Sequence, residues 1–307
     1  MMGRLSHIPG EQNLITTIRQ LNKPLKPQET GTTSRLDPLP DVRAVLFDVY
    51  GTLFLSASGD IGVSRKSDHA AFFSEALAAA GIVLPDEYVA KMPSRFHEEI
   101  EASHTRLRAE GISHPEVDII LIWKSLIEQA IDRDAQQHGL TDDSVYRLAV
   151  EYECRQNPVW PMPGIQETLS ALVTAGLRMG IVSNAQFYTP FLFPALLDAN
   201  IAELGFDAEL CAWSWMQGEA KPSIRLMKPV LEGLAREGIS PRDVVVVGND
   251  MLNDIQMAAA AGCRTVLFAG DSKSLRWRER HKDCEAVTPD AVITSLPELL
   301  SCLGLKA

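Results

Sequence analysis

The stretch VLFDVYGTLF, Val45–Phe54, decides the fold. An apolar run stops at an aspartate and passes at once into Gly51 and Thr52, so it reads as a buried strand that carries one carboxylate to its tip. The same design recurs in RMGIVSN, Arg178–Asn184, and in VVVVGND, Val244–Asp250; TVLFAG and AVIT add two shorter runs. Continuous apolar runs suit strands covered on both faces, and the segments between the later runs have helical spacing. The chain is therefore predicted to be α/β, with a doubly wound, mostly parallel sheet.

Between the first and second runs lie more than a hundred residues of different character. Phe72, Phe73, Ala76, Leu77 and Ala80 mark one helical face; Ile119, Ile120, Trp123, Ile127 and Ala130 mark a second; Val145–Cys154 is a third candidate. This predicts a helical cap inserted after the first strand, with Ser56–Gly62 as a Gly-containing hinge or flap and WPMPG, Trp160–Gly164, as the return. The expected division is an extension and linker over 1–40, an α/β core over 41–56 and 159–307, and the cap over 57–158. Within the extension, Leu14, Ile15, Ile18 and Leu21 fall at helical spacing, and a short helix packed on the main body is expected.

Lys+Arg 29 against Asp+Glu 40 leaves a net charge of -11, a field that disfavours nucleic acid and anionic membrane as partners. A phosphate site must then be local. Five cysteines show no CxxC pair and no regular framework, which points to a reducing cytoplasm. No run has the roughly 18 apolar residues of a spanning helix.

In an open α/β sheet, ligands bind beyond the carboxyl ends of the strands. Asp48, Ser183 with Asn184, and Asp250 with Asp254 would all face that crevice. Four motifs in order, DVYGT, VSN, AKP and GNDMLNDI, give the chain a resemblance to the haloacid dehalogenase superfamily with a helical cap. The resemblance implies that Asp48 is a nucleophile forming an aspartyl intermediate. It implies a Mg2+ held by Asp48, the backbone carbonyl of Tyr50, Asp250 and Asp254, since a carboxylate attacking a phosphate dianion needs a cation between them. Ser183, Asn184 and Thr52 would grip phosphate oxygens, and Lys221, ahead of a helix expected to open at Pro222, would stand beside the site. A common family form has aspartate where this chain has Asn249; the alternative DxxND register, met by Asp250, Asn253 and Asp254, is preferred.

Tyr50 divides the reading. Phosphatases of the superfamily typically carry a second aspartate there, as proton donor and base, whereas a phenol with a pKa near 10 is a poor base. Its 2-haloacid dehalogenases do carry tyrosine, but they lack this acidic fourth motif and have a tyrosine where this chain has Met227. The expected function is a Mg2+-dependent phosphatase of a small phosphorylated metabolite, with a dehalogenase-type hydrolase and a phosphate-binding regulatory protein as alternatives. Phe96, Arg106, Arg108 and Trp123 are candidates for substrate choice. LRWRER, Leu275–Arg280, is read as a solvated helix face, and Trp213 and Trp215 as packing residues alternating along a strand. The histidines form no motif; His97 and His104 are expected on a solvated helix face.

Overall fold

A computed structural model describes residues 8–58, 69–131 and 140–306. Its first strand, β1 (Ala44–Phe47), is the opening apolar run, and all four residues are buried. β1 pairs in parallel with β4 (Arg178–Ser183) on one side and β6 (Val244–Gly248) on the other. With β5 (Phe206–Trp213), β7 (Arg264–Phe268) and β8 (Ala291–Ile293), the strand order is β5-β4-β1-β6-β7-β8, every pairing parallel. The run is continuously apolar because both of its faces are covered. Val45 and Phe47 enter one apolar cluster, Ala44 and Leu46 the opposite one, beneath α10 (Ile224–Arg236). The edge strand β5 was not among the predicted runs: Asp207 and Glu209 interrupt its apolar pattern, as an exposed edge permits.

Register sets the site. Phe47 lies opposite Ile181 and Val247, so the acidic and hydroxyl residues that end these strands emerge on one edge of the sheet.

The chain leaves the sheet through β2 (Phe54–Ser56) and returns through β3 (Val159–Pro161), which pair antiparallel. Between them run α2 (His69–Ala80), α3 (Asp86–Val89), α4 (Met92–Ala109), α5 (Ile119–Glu128) and α6 (Asp142–Gln156). The expected hinge over Ser56–Gly62 lies, beyond Ser58, outside the described residues. Phe73, Phe96, Trp123 and Tyr152 pack together with ring centroids 4.4–5.6 Å apart, which accounts for the helical spacing of their apolar neighbours.

The N-terminal helix, α1 (Glu11–Leu21), buries Leu14, Ile15 and Ile18 and packs on α6 and α8 (Leu192–Leu196). The Arg19 guanidinium donates to the carbonyls of Pro194 and Ala195, 2.8 Å each. The following segment, read as a linker, is laid along the sheet edge instead. Thr30 bonds the Ala269 carbonyl, Arg35 bridges Val292, and the Leu39 amide donates to Cys302 O at 2.7 Å. Backbone groups against a sheet edge need such partners, and the proline content that suggested a linker does not oppose them.

Candidate active site

Asp48 follows β1 directly and is 6% exposed. The chain then turns back: the amides of Leu53 and Phe54 both bond Val49 O at 2.9 Å. Gly51 permits this turn, because at its φ of 83° a Cβ would stand 2.5 Å from the Asn249 amide nitrogen. The turn aims Thr52 at the carboxylate. Its hydroxyl has one proton to share between Asp48 Oδ2 at 3.3 Å and Asn249 Oδ1 at 3.2 Å. From β4, the Ser183 hydroxyl donates to Asp48 Oδ1 at 3.1 Å.

Lys221 bridges two acids, its ammonium 2.6 Å from Asp48 Oδ1 and 2.6 Å from Asp254 Oδ1. Burial opposes its charge, but Asp254 and Asp48 more than offset that and hold it above the ordinary lysine range. Asn184 fixes the lysine from behind, accepting from the Lys221 amide at 2.7 Å. The Asn184 side chain is thus a positioning contact, separate from the backbone amide expected to meet phosphate. Pro222 does not open the helix: α10 begins at Ile224, capped by the Ser223 hydroxyl.

Asp254 sits in a π-helical turn, Met251–Gln256, after β6. Gly248 leaves room for it, since a Cβ there would meet its carboxyl carbon at 2.2 Å. Burial pushes the Asp254 carboxyl up to about 7; Lys221 opposes the rise, and Asp48 and Asp250 add to it.

Asp250 also lines the cleft, but its carboxylate is committed elsewhere. It caps the turn by accepting from the amides of Leu252 and Asn253, and it receives Arg278 Nη2 at 2.6 Å. Asp250 is thus held by the turn it caps and by a guanidinium, whereas Asp48 and Asp254 share Lys221. Among the described residues no three His, Cys, Asp or Glu side chains are grouped to hold a metal. Donor chemistry still fits a hard cation. Asp48, Asp250 and Asp254 place three buried carboxylates on one cleft against the ammonium of Lys221 and the half-exposed guanidinium of Arg278, an oxygen donor set that suits such an ion.

Tyr50 lines the cleft with its hydroxyl 2.9 Å from Thr189 Oγ1. Burial, then the nearby Glu153, raises the phenol well above its ordinary range, so it stays neutral and cannot act as a base.

The cleft has a volume of about 280 Å³, and its lining includes Glu116 and Arg276, neither of which was expected there from the sequence. Glu116 comes from the loop between α4 and α5, and burial raises its carboxyl above the usual range. Arg276 comes from the segment expected to be a solvated helix. That segment is a turn and bridge, whose Arg276 backbone pairs beside Asp250 and whose Arg278 holds the Asp250 side chain. The alternation of LRWRER was the only local signal, and its partner lies 28 residues away. The proposed specificity residues are elsewhere: Trp123 is wholly buried among aromatics, Phe96 packs against it, and Arg106 and Arg108 are exposed on α4. Trp213 ends β5 and Trp215 lies in the short helix α9 (Ser214–Gln217); both are buried, as packing residues should be. All five cysteines are free.

The sequence profile of the haloacid dehalogenase-like hydrolases matches residues 42–262. The chain is 28% identical over 273 residues to a phosphoglycolate phosphatase of Salmonella choleraesuis (strain SC-B67), covering 88% of this chain and 96% of that protein. The phosphoglycolate phosphatase of Escherichia coli (strain K12) is 28% identical over 272 residues, with the same coverage. A solved 2-haloacid dehalogenase from Pseudomonas syringae pv. Tomato DC3000 shares the fold, with a TM-score of 0.50 at 21% identity over 86% of this chain and 98% of that one.

Proposed function

The chain belongs to the haloacid dehalogenase-like hydrolases, and on that premise we propose that it is a Mg2+-dependent phosphatase of a small phosphorylated metabolite, with Asp48 as nucleophile. The observation that carries this reading is the buried bridge Asp48–Lys221–Asp254 at the edge where three parallel strands end. The phosphoglycolate phosphatases among the relatives support it and favour a small phosphorylated acid as substrate class.

Lys221 and Ser183 both hold Asp48 Oδ1, leaving Oδ2, touched by the Thr52 hydroxyl at 3.3 Å, as the oxygen that attacks phosphorus. The P–O ester bond breaks, the alcohol leaves with a proton, and water then cleaves the aspartyl phosphate to release inorganic phosphate. Lys221 lessens the repulsion between the carboxylate and the incoming dianion, and Asn184 keeps its backbone in place. Asp48, Asp254 and the Tyr50 carbonyl would hold Mg2+, with Asp250 joining if Arg278 releases it; once bound, the ion supplies further charge neutralisation. Residues 57–158 act as the cap that closes over the cleft and excludes water. No helix among the described residues is long and apolar enough to cross a membrane; with five free cysteines, the cytoplasm is the proposed location.

The test is a panel of phosphorylated metabolites and 2-haloacids with and without Mg2+. Phosphate release that needs Mg2+ and vanishes in Asp48→Asn is expected. Tyr50 favours the dehalogenase reading, and metal-independent chloride release from 2-chloropropionate would establish it in place of the phosphatase.

A further inference from the structure

Hydrolysis of an alkyl phosphate calls for a group that protonates the leaving alkoxide and then, deprotonated, activates water, and Tyr50, held neutral by burial, cannot take the second role. Among the described carboxyls lining the cleft, Asp48 and Asp254 are ion-paired with Lys221 and Asp250 with Arg278. Glu116 makes no ion pair with a described residue. Its loop is docked on the segment just ahead of Lys221: the Glu116 amide donates to Gly218 O at 3.1 Å, and the Ala220 amide donates to His114 O at 2.7 Å.

We propose that Glu116 is the acid and base of this site, donating its proton to the leaving alkoxide and then taking one from the water that attacks the aspartyl phosphate. The assignment rests on the phosphatase reading and deepens it. In the first step the P–O bond breaks as the Asp48–phosphorus bond forms, and the departing oxygen takes the Glu116 proton. In the second, water adds to phosphorus, its proton passes to the Glu116 carboxylate, and Asp48 and phosphate are released. The cycle balances without a further reactant.

The contacts of Glu116 suit both protonation states. Oε1 accepts from the Val117 amide at 2.9 Å and Gln186 Nε2 at 3.2 Å, which fixes the carboxyl. Oε2 lies 2.7 Å from the Ser214 hydroxyl, which has a second acceptor, Ala185 O, at 3.2 Å. Ser214 therefore donates to the carboxylate, and turns its proton to Ala185 O when Glu116 carries its own. Burial raises the carboxyl, which favours the form able to donate.

The experiment compares kcat/KM of Glu116→Gln with wild type on the alkyl phosphate the wild type hydrolyses fastest and on p-nitrophenyl phosphate, whose leaving group needs little protonation. The expected result is a loss of roughly 100-fold or more for the alkyl ester and of less than about tenfold for the aryl ester, in line with general acid catalysis. Equal losses on both esters, or none on the alkyl ester, overturn the assignment and leave the phosphatase reading standing. A wild type that turns over only the aryl ester does the same. A wild type that hydrolyses neither overturns both. Should Glu116→Gln fail to fold, Glu116→Asp decides by the same ratio, a selective loss on the alkyl ester supporting the assignment and an even loss ending it.

Discussion

Replacing Lys221 by methionine keeps most of the apolar length of the side chain and removes the charge that joins Asp48 to Asp254. Both contacts are 2.6 Å and all three side chains are buried, so the variant strands two carboxylates without their partner. Breaking a buried pair from one side costs about 3–5 kcal/mol. An unfolding entropy of about 2.1 cal/mol/K per residue over this chain converts that cost to a fall in Tm of roughly 5–8 °C. The loss should depend on pH. The folded-state pKa of Asp254 is already raised to about 7, against about 3.9 unfolded, and removing Lys221 raises it further. For an acid raised on folding, the stability is present below the unfolded pKa and is lost as pH rises through the folded one. The Asp254 share of the deficit is thus absent near pH 5, where both proteins keep that carboxyl protonated, and grows as pH rises above about 7. Thermal melts of both proteins at the two pH values, with and without Mg2+, measure this, and added Mg2+ should restore part of the loss at pH 8. A variant whose Tm at pH 8 lies within 1 °C of wild type, or whose deficit is larger at pH 5, would refute the electrostatic account.

Asp48→Asn should lose at least ~10⁴-fold in kcat, as removal of a nucleophile does, while circular dichroism shows an intact fold. Tyr50→Phe deletes one hydroxyl bond, to Thr189; it should cost about 1 kcal/mol in a urea titration and less than about tenfold in kcat/KM, short of the ~10²-fold minimum of a general acid. In Asn184→Ala the Lys221 amide loses its 2.7 Å acceptor, so a destabilisation of about 1–2 kcal/mol should accompany a fall in kcat, read from the same preparation. Arg278→Gln releases the Asp250 carboxylate, and the Mg2+ concentration for half-maximal activity should fall; a rise would show that Asp250 has no part in holding the ion.

The amino-acid sequence by itself determined the parallel sheet and the carboxylate at the tip of its first strand. An uninterrupted apolar run is stable only with both faces covered, and parallel register brings all such strand ends to one edge. That was enough to gather Asp48, Ser183, Asn184, Asp250 and Asp254, while Lys221 was placed beside them by the resemblance of its AKP motif. The short amphipathic spacing of Leu14, Ile15 and Ile18 likewise foretold a packed helix. What each side chain does at that edge was decided by the tertiary structure. Asp250 and Arg278 are 28 residues apart, and no local pattern says that the guanidinium reaches the turn before a cation does. Trp123 looked available for a substrate until three aromatic side chains from other helices closed around it. Glu116 is an ordinary loop residue in the sequence; it becomes a fixed carboxyl, without an ion pair among the described residues, because strands and loops distant in the chain bring Ser214, Gln186 and the segment before Lys221 against it. Periodicity records which face of an element must be buried, but the direction and charge state of a polar side chain depend on partners that only folding brings within reach.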